Sequence, residues 1–496
     1  MLQSGPWAIC RKVRLGLTTG LLVAALSSPV SAELKLPAIF SNQMVLQREQ
    51  ANPIWGWAEP NADVVVVLGQ QTKQGKADAD GKWRVTLDPL PAGGPHQIVI
   101  ESGKDRRAIE DVLVGEVWVC SGQSNMQWSI NQTKDADLTK VTAHYPNLRV
   151  ITVPIRGTQE PQSDFEGSWK PATPENVGSF TAVGYHFGLT LHQALGIPVG
   201  LIHDSWGGSA CEAWVPRDLL EADPKYKGLL DRWREIEAKP DADQRLLTGN
   251  ARPGNLYNGM LLPIVGYGIR GAIWYQGESN AGRAYQYREL FPRMIQAWRD
   301  RWQQGDFPFY WVQLADFTAE VPEPGDSDWA ELREAQTLAQ RLPKTGQAVI
   351  IDLGEANDIH PVNKEDVGER LARWALANDY GVKITYRSPE YQAMEKRDNK
   401  IVISFDHVAG NLKPFDINEI RGFAIAGEDR KFYPAKAQLV EGDKTKVEVW
   451  SDQVTNPVAV RYAWANNPVC NLRSTSGLPV TPFRTDDWPG VTADKQ

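Results

Sequence analysis

Residues 117–125, VWVCSGQSN, carry an apolar run that stops on small and polar residues and leaves Ser124 at its end. A serine so placed can serve as a nucleophile if a base takes its proton, a third group orients that base, and donors await the developing oxyanion. The base is narrowed by elimination among seven histidines. His96 and His407 lie in β-like stretches, His144 near a polar stretch, His186 and His192 within a helical pattern, and His203 inside a strand where burial accounts for it. His360 alone stands in a loop after an apolar run, followed by Pro361 and a helix. An imidazole titrates at ~6.5, which suits a general base at neutral pH. Asp358, two residues earlier, is the candidate to orient it.

The elements that must position these groups read as a mostly parallel sheet covered by helices. Strands are expected at 112–119, 148–153, 198–203, 269–275, 307–314 and 348–353, and helices at 181–195, 284–302, 331–342 and 364–378. Asn363 can cap the last helix, and Pro292 should kink or divide the second. Four of these strands run into polar loops: Ser121 to Asn125, Trp206-Gly207-Gly208-Ser209, Gln276-Gly277-Glu278-Ser279-Asn280, and Gly354 through His360. In open α/β sheets ligands bind at the carboxyl ends of the strands, so all four loops are expected to line one crevice. Singly, each has a plainer reading as a turn, a cap or loop polarity; Asp358 could merely close an Asx turn. A G-x-S-x-G elbow is absent, since Met126 occupies the last glycine's place, and this argues against an ordinary α/β-hydrolase.

The chain has 496 residues, enough for two to four domains, and 42% of them are apolar. Residues 1–32 read as a cleaved export signal, with Arg11, Lys12 and Arg14 ahead of an uncharged stretch and Val30-Ser31-Ala32 at the cleavage site. The product is expected to be exported, periplasmic or secreted, and no later segment is apolar enough to span a bilayer. Removing residues 1–32 takes away three cations and no anions, so the formal net charge goes from −8 to −11. That balance makes nucleic acid or an anionic membrane surface an unsuitable partner. Residues 33–110 read as a small β-sandwich, 111–385 as the α/β domain, and 386–496 as a second β region or strands completing the first. Cys120, Cys211 and Cys470 form no disulfide framework and have no metal-ligand spacing; a Cys120–Cys211 bridge and buried free thiols are both open.

Longer motifs add a resemblance. GQSNM at 122–126, SWGGSACEAW at 205–214, LYNGML at 256–261, WYQGESNA at 274–281 and DIHP at 358–361 together resemble the sialate O-acetylesterase family, a branch of the SGNH hydrolases. The likeness continues through GFAIAG at 422–427, VRYAW at 460–464 and GLPVTPFRTD at 477–486. It implies a flavodoxin-like three-layer α/β/α catalytic domain flanked by β-sandwich domains, removing acetyl groups from sugar hydroxyls with no metal or other cofactor. By that resemblance Ser124 is the nucleophile, His360 the base and Asp358 the acidic member. The Ser124 amide, an amide of Gly207-Gly208 and the Gln276 side chain form the oxyanion hole, and Glu278 and Asn258 support the site or touch substrate. Two departures stand out. Asn357 occupies the position three before the histidine where many SGNH hydrolases place the aspartate, and glutamine replaces the asparagine of the third block.

The substrate expected is an acetylated carbohydrate, either O-acetyl sialic acid or a hemicellulose such as xylan or xyloglucan. Trp128, Trp206 and Trp214 flank the motif loops and offer flat faces for pyranose rings, although most tryptophans pack cores. A sialic acid carboxylate calls for a cation, for which Arg252 and Arg283 are candidates. Two other classes compete: a lipid or thioester hydrolase on the same scaffold, and a non-catalytic carbohydrate-binding protein. Oligomeric state is not legible.

Overall fold

The structure is a computed structural model that describes residues 33–495. The export-signal segment, residues 1–32, lies outside the described residues.

Six parallel strands carry the site: β1 (Asp105–Gly122), β2 (Tyr145–Thr152), β3 (Val199–Ser205), β4 (Gly271–Tyr275), β5 (Phe309–Val312) and β6 (Thr345–Ala348). Their order across the sheet is β6-β5-β4-β1-β3-β2, with Lys170–Ala172 added antiparallel beyond β2. The chain fills one side of β1 with β2 and β3 and then crosses to build β4, β5 and β6 on the other. The carboxyl end of β1 is thus the switch point where crossovers leave in opposite directions and open a crevice.

Alternation along β1 explains the layers. Val117 and Val119 enter one core with α2 (Ala284–Trp302) and α3 (Asp328–Leu338), while Trp118 and Cys120 enter another with α1 (Ala182–Leu195) and α4 (Lys364–Asn378). Both faces of the sheet are covered, as near-continuous apolar parallel strands require. The Asn363 side chain accepts from the Asp366 amide and caps α4, as its position indicates. Cys120 and Cys211 fall in different cores, and both are free thiols, so the bridge does not form.

The structure departs from expectation at two places. Pro292 does not divide α2, which runs unbroken from Ala284 to Trp302. A proline leaves the carbonyl four residues back without its helical donor, and that carbonyl, on Arg288, accepts from Arg341 Nη2 at 3.1 Å. The last strand lies earlier than 348–353: it covers Thr345–Ala348, and Val349 and Ile351 instead turn their side chains into the core of the C-terminal β region.

β1 is 18 residues long and serves two sheets. Its first half pairs antiparallel with Gly93–Ser102 and parallel with Val45–Gln47, while its second half is the middle of the six-stranded sheet. The C-terminal region has separate antiparallel sheets and its own core of residues such as Ile403, Ile425, Val447 and Val460. It is tied back to α3, where Arg333 donates to the Ala465 and Asn466 carbonyls and Arg484 pairs with Glu334.

Candidate active site

β1 ends at Gly122, whose φ of 136° and proximity to β4 fit no other residue: a Cβ there would lie 2.1 Å from the Tyr275 carbonyl oxygen. The Gln123 amide then donates to that carbonyl at 2.9 Å, and a short helical turn, Ser124–Gln127, begins. Ser124 is half-buried, and its hydroxyl makes no hydrogen bond among the described residues.

His360 comes to this turn from the loop after β6. The Trp128 ring, one turn beyond Ser124, stacks on the His360 imidazole with centroids 4.3 Å apart and planes 13° from parallel. Asn125 Nδ2 donates to the Ile359 carbonyl at 3.0 Å, joining the residue after the serine to the residue before the histidine. Asp358 holds the histidine from behind. Its Oδ1 accepts from the His360 amide at 2.8 Å and lies 3.3 Å from Nδ1. Burial lowers the His360 pKa below its ordinary value, Lys364 pushes the same way, and Asp358 opposes both. The imidazole is therefore neutral, and able to accept a proton, at neutral pH. The rival histidines are poorly placed: burial takes His186 and His203 down to about 4, and both belong to the core.

The loop after β3 supplies amides. Gly207 lies against Ser124, since a Cβ built on it would be 3.3 Å from the Ser124 Cβ. Its carbonyl accepts from Asn250 Nδ2 at 2.5 Å, and its amide donates to Gln127 Oε1 at 2.8 Å. Among the described residues the Ser124 and Gly208 amides have no backbone acceptor.

A family model described as carbohydrate esterase, sialic acid-specific acetylesterase matches residues 114–377. Human sialate O-acetylesterase is 31% identical over 92% of this chain and 94% of its own length, and the mouse enzyme is 30% identical over 93% and 96%. The crystal structure of a carbohydrate acetylesterase from Xanthomonas citri is 41% identical, with a TM-score of 0.83 over 92% of this chain and all of that one. The chain belongs to this family of carbohydrate esterases.

It is accordingly a carboxylic ester hydrolase with the SGNH-type α/β sheet and additional β sheets. Within this carbohydrate esterase several residues expected at the site are committed elsewhere. Gln276 is fully buried, and both hydrogens of its amide are used, toward the Ser209 carbonyl at 3.1 Å and Asn280 Oδ1 at 2.7 Å. Its oxygen accepts from the Tyr287 hydroxyl, so it braces the Gly207-Gly208 loop and has no hydrogen left for an oxyanion. Trp214 is fully buried and donates to Ser209 Oγ, which removes it from any sugar. Arg283 pairs with buried Glu212 at 2.8 Å, and Arg252 with Glu237 at 2.8 Å. Asn258 sits in a π-turn and donates to the Gln159 carbonyl, pinning a neighbouring loop. Glu278 turns its carboxylate inward onto Asn125.

Sequence reasoning misses the roles of Asn125, Gln127, Asn250 and Lys364. Asn125 and Gln127 belong to or adjoin the serine motif and are detectable as polar residues on the same turn. Asn250 and Lys364 carry no local signal, because their partners come from other loops. Among the described residues no cluster of His, Cys, Asp and Glu could hold a metal ion, and no helix is long and apolar enough to cross a membrane.

Proposed function

We propose that this esterase removes O-acetyl groups from carbohydrates through an acetyl-enzyme on Ser124. His360 takes the Ser124 proton, the serine oxygen attacks the acetyl carbonyl, and the sugar hydroxyl leaves with the proton carried by the imidazole. Water, deprotonated by the same imidazole, then releases acetate. Asp358 holds the His360 ring and stabilises its charged form. The free amides of Ser124 and Gly208 are the oxyanion donors, and the Gly207 amide can join them only if the Gln127 side chain swings away. The observation that carries this reading is the convergence of the Ser124 turn, Trp128, His360 and Asp358 at one end of the sheet.

Arg252 and Arg283, the two candidates for a sugar carboxylate, are each paired with a glutamate, which supports a substrate class defined by its acetyl group and ring and not by a charge. Trp128, half-buried and stacked on His360, is the aromatic group at hand for a pyranose. Export fits the composition of residues 1–32. The test is acetate release from O-acetylated sialosides, xylan and xyloglucan, with Ser124→Ala as control. Release from several neutral acetylated glycans, lost in Ser124→Ala, is expected. Full activity in Ser124→Ala would remove the nucleophile assignment, and strict dependence on a sialoside would overturn the substrate reading.

A further inference from the structure

Behind the nucleophile lies a polar cluster that the two-step reaction does not use. Asn125 and Lys364 are each 1% exposed, and Glu278, though its residue keeps some surface, has a buried carboxylate oxygen. Asn125 is the junction. Its Nδ2 donates to Glu278 Oε1 at 2.7 Å and to the Ile359 carbonyl at 3.0 Å, and its Oδ1 accepts from Lys364 Nζ at 2.5 Å. A single carboxamide thus connects the serine turn, the loop after β4, the histidine loop and the start of α4.

The position of Lys364 is unfavourable for stability on two counts. It is the first residue of α4, where the helix dipole disfavours a cation, and its ammonium is buried. Burial brings its pKa down to about 7 although Glu278, Asp358 and Glu355 oppose this. The Tyr275 ring, 5.5 Å from Nζ, closes the remaining side. Violations of local stability rules of this kind are expected at functional sites.

We propose that Lys364 is a positioning residue for deacetylation: through Asn125 its ammonium fixes the Ser124 turn against the His360 loop, and its charge sets the pH below which the imidazole stops accepting protons. This rests on Ser124 and His360 as nucleophile and base. The groups facing His360 are Asp358, Lys364 and the Trp128 ring. Asp358 alone would favour the imidazolium and hold the base protonated to higher pH, and the ammonium counters it. In the acid range where His360 titrates, Lys364 carries its charge, so the effect operates where it matters.

The experiment compares the pH dependence of kcat/KM for acetate release in the wild type, Lys364→Met and Lys364→Arg, with an NMR titration of the His360 imidazole. In Lys364→Met the midpoint of the acidic limb should rise by about 0.5 to 1 in pH, and kcat should fall more than KM changes. Lys364→Arg, which keeps the charge, should return the midpoint toward wild type. An unmoved midpoint in folded Lys364→Met overturns the proposal, even if activity is lost, because a merely structural lysine would leave the His360 titration alone. If Lys364→Met does not fold, Lys364→Gln, which removes the charge but keeps a hydrogen-bond donor, is read for the same rise, with the same refuting result. Wild-type acetate release in His360→Ala would instead overturn the base assignment on which this rests.

Discussion

Replacing Asn125 with alanine tests the junction most directly. The substitution removes three hydrogen bonds at once, to Glu278, Lys364 and the Ile359 carbonyl. Hydrogen bonds to charged groups contribute about 1.5–3 kcal/mol each and a neutral one about 1, so the gross loss is about 4–7 kcal/mol. Part is recovered, because burial already displaces Lys364 and Glu278 toward their uncharged forms and they can neutralise each other across the vacated space. A net destabilisation of about 3 kcal/mol follows. The kinetic effect is separate: once the serine turn and histidine loop are unpinned, a drift of about 1 Å costs about a hundredfold in rate. Urea unfolding followed by tryptophan fluorescence gives the first quantity, and kcat for acetate release gives the second. Asn258→Ala is the control, since its side-chain amide donates one bond, to the Gln159 carbonyl at 2.9 Å, and should cost about 1 kcal/mol with little change in turnover. If Asn125→Ala behaves like Asn258→Ala in both measurements, the junction does not hold the site together.

The same geometry bears on four other positions or pairs. Asp358→Asn should lower kcat by roughly 10⁴-fold if its carboxylate orients the imidazole; a negligible loss in steady-state kinetics would leave a serine–histidine pair acting without it. Gly207→Ala should keep the wild-type melting temperature but cut kcat, because the new methyl sits 3.3 Å from the Ser124 Cβ and 3.0 Å from the movable Gln127 side chain. Gly122→Ala, with its Cβ 2.1 Å from the Tyr275 carbonyl, should fail to yield folded protein, and a folded, active variant seen by circular dichroism would contradict the strand-end geometry. The buried His186 and His203 have folded pKa values of about 4 against an ordinary value of ~6.5. The folded state therefore binds fewer protons than the unfolded one in that window. Their favourable contribution is complete above pH ~6.5 and is lost as pH falls toward 4, on the order of 3 kcal/mol each at most, which urea midpoints at pH 7, 5 and 4 would reveal.

Much of the sheet is legible in the sequence because parallel strands buried on both faces leave long apolar runs, and four of those runs end in polar loops that do meet at one edge. Ser124, His360 and Asp358 stand out in the sequence for a related reason, each lying in a polar loop that follows an apolar run. Gln276 illustrates what a linear reading misses. Its residue type suits an oxyanion donor, but whether a hydrogen is free depends on Ser209 and Asn280, which the fold brings to it. Arg283 and Trp214 likewise have partners, Glu212 and Ser209, that only the folded chain brings to them. Pro292 reads in isolation as a kink or a break, but the donor that lets the helix continue, Arg341, comes from a different segment and reaches the freed Arg288 carbonyl only in the folded chain.

The strand that presents the serine is also a rib of the N-terminal sheet, so the molecule has no clean seam between the two. A chain begun at residue 111 would start inside a continuous beam, with the far half of its ladder to Gly93–Ser102 and the whole of that partner strand cut away. The edge left bare would include Leu113 and Val114, which are buried in the whole protein, and it would invite pairing with other copies. The β sheet that precedes the esterase is therefore less an appendage than the anchored end of a cantilever whose tip carries Ser124.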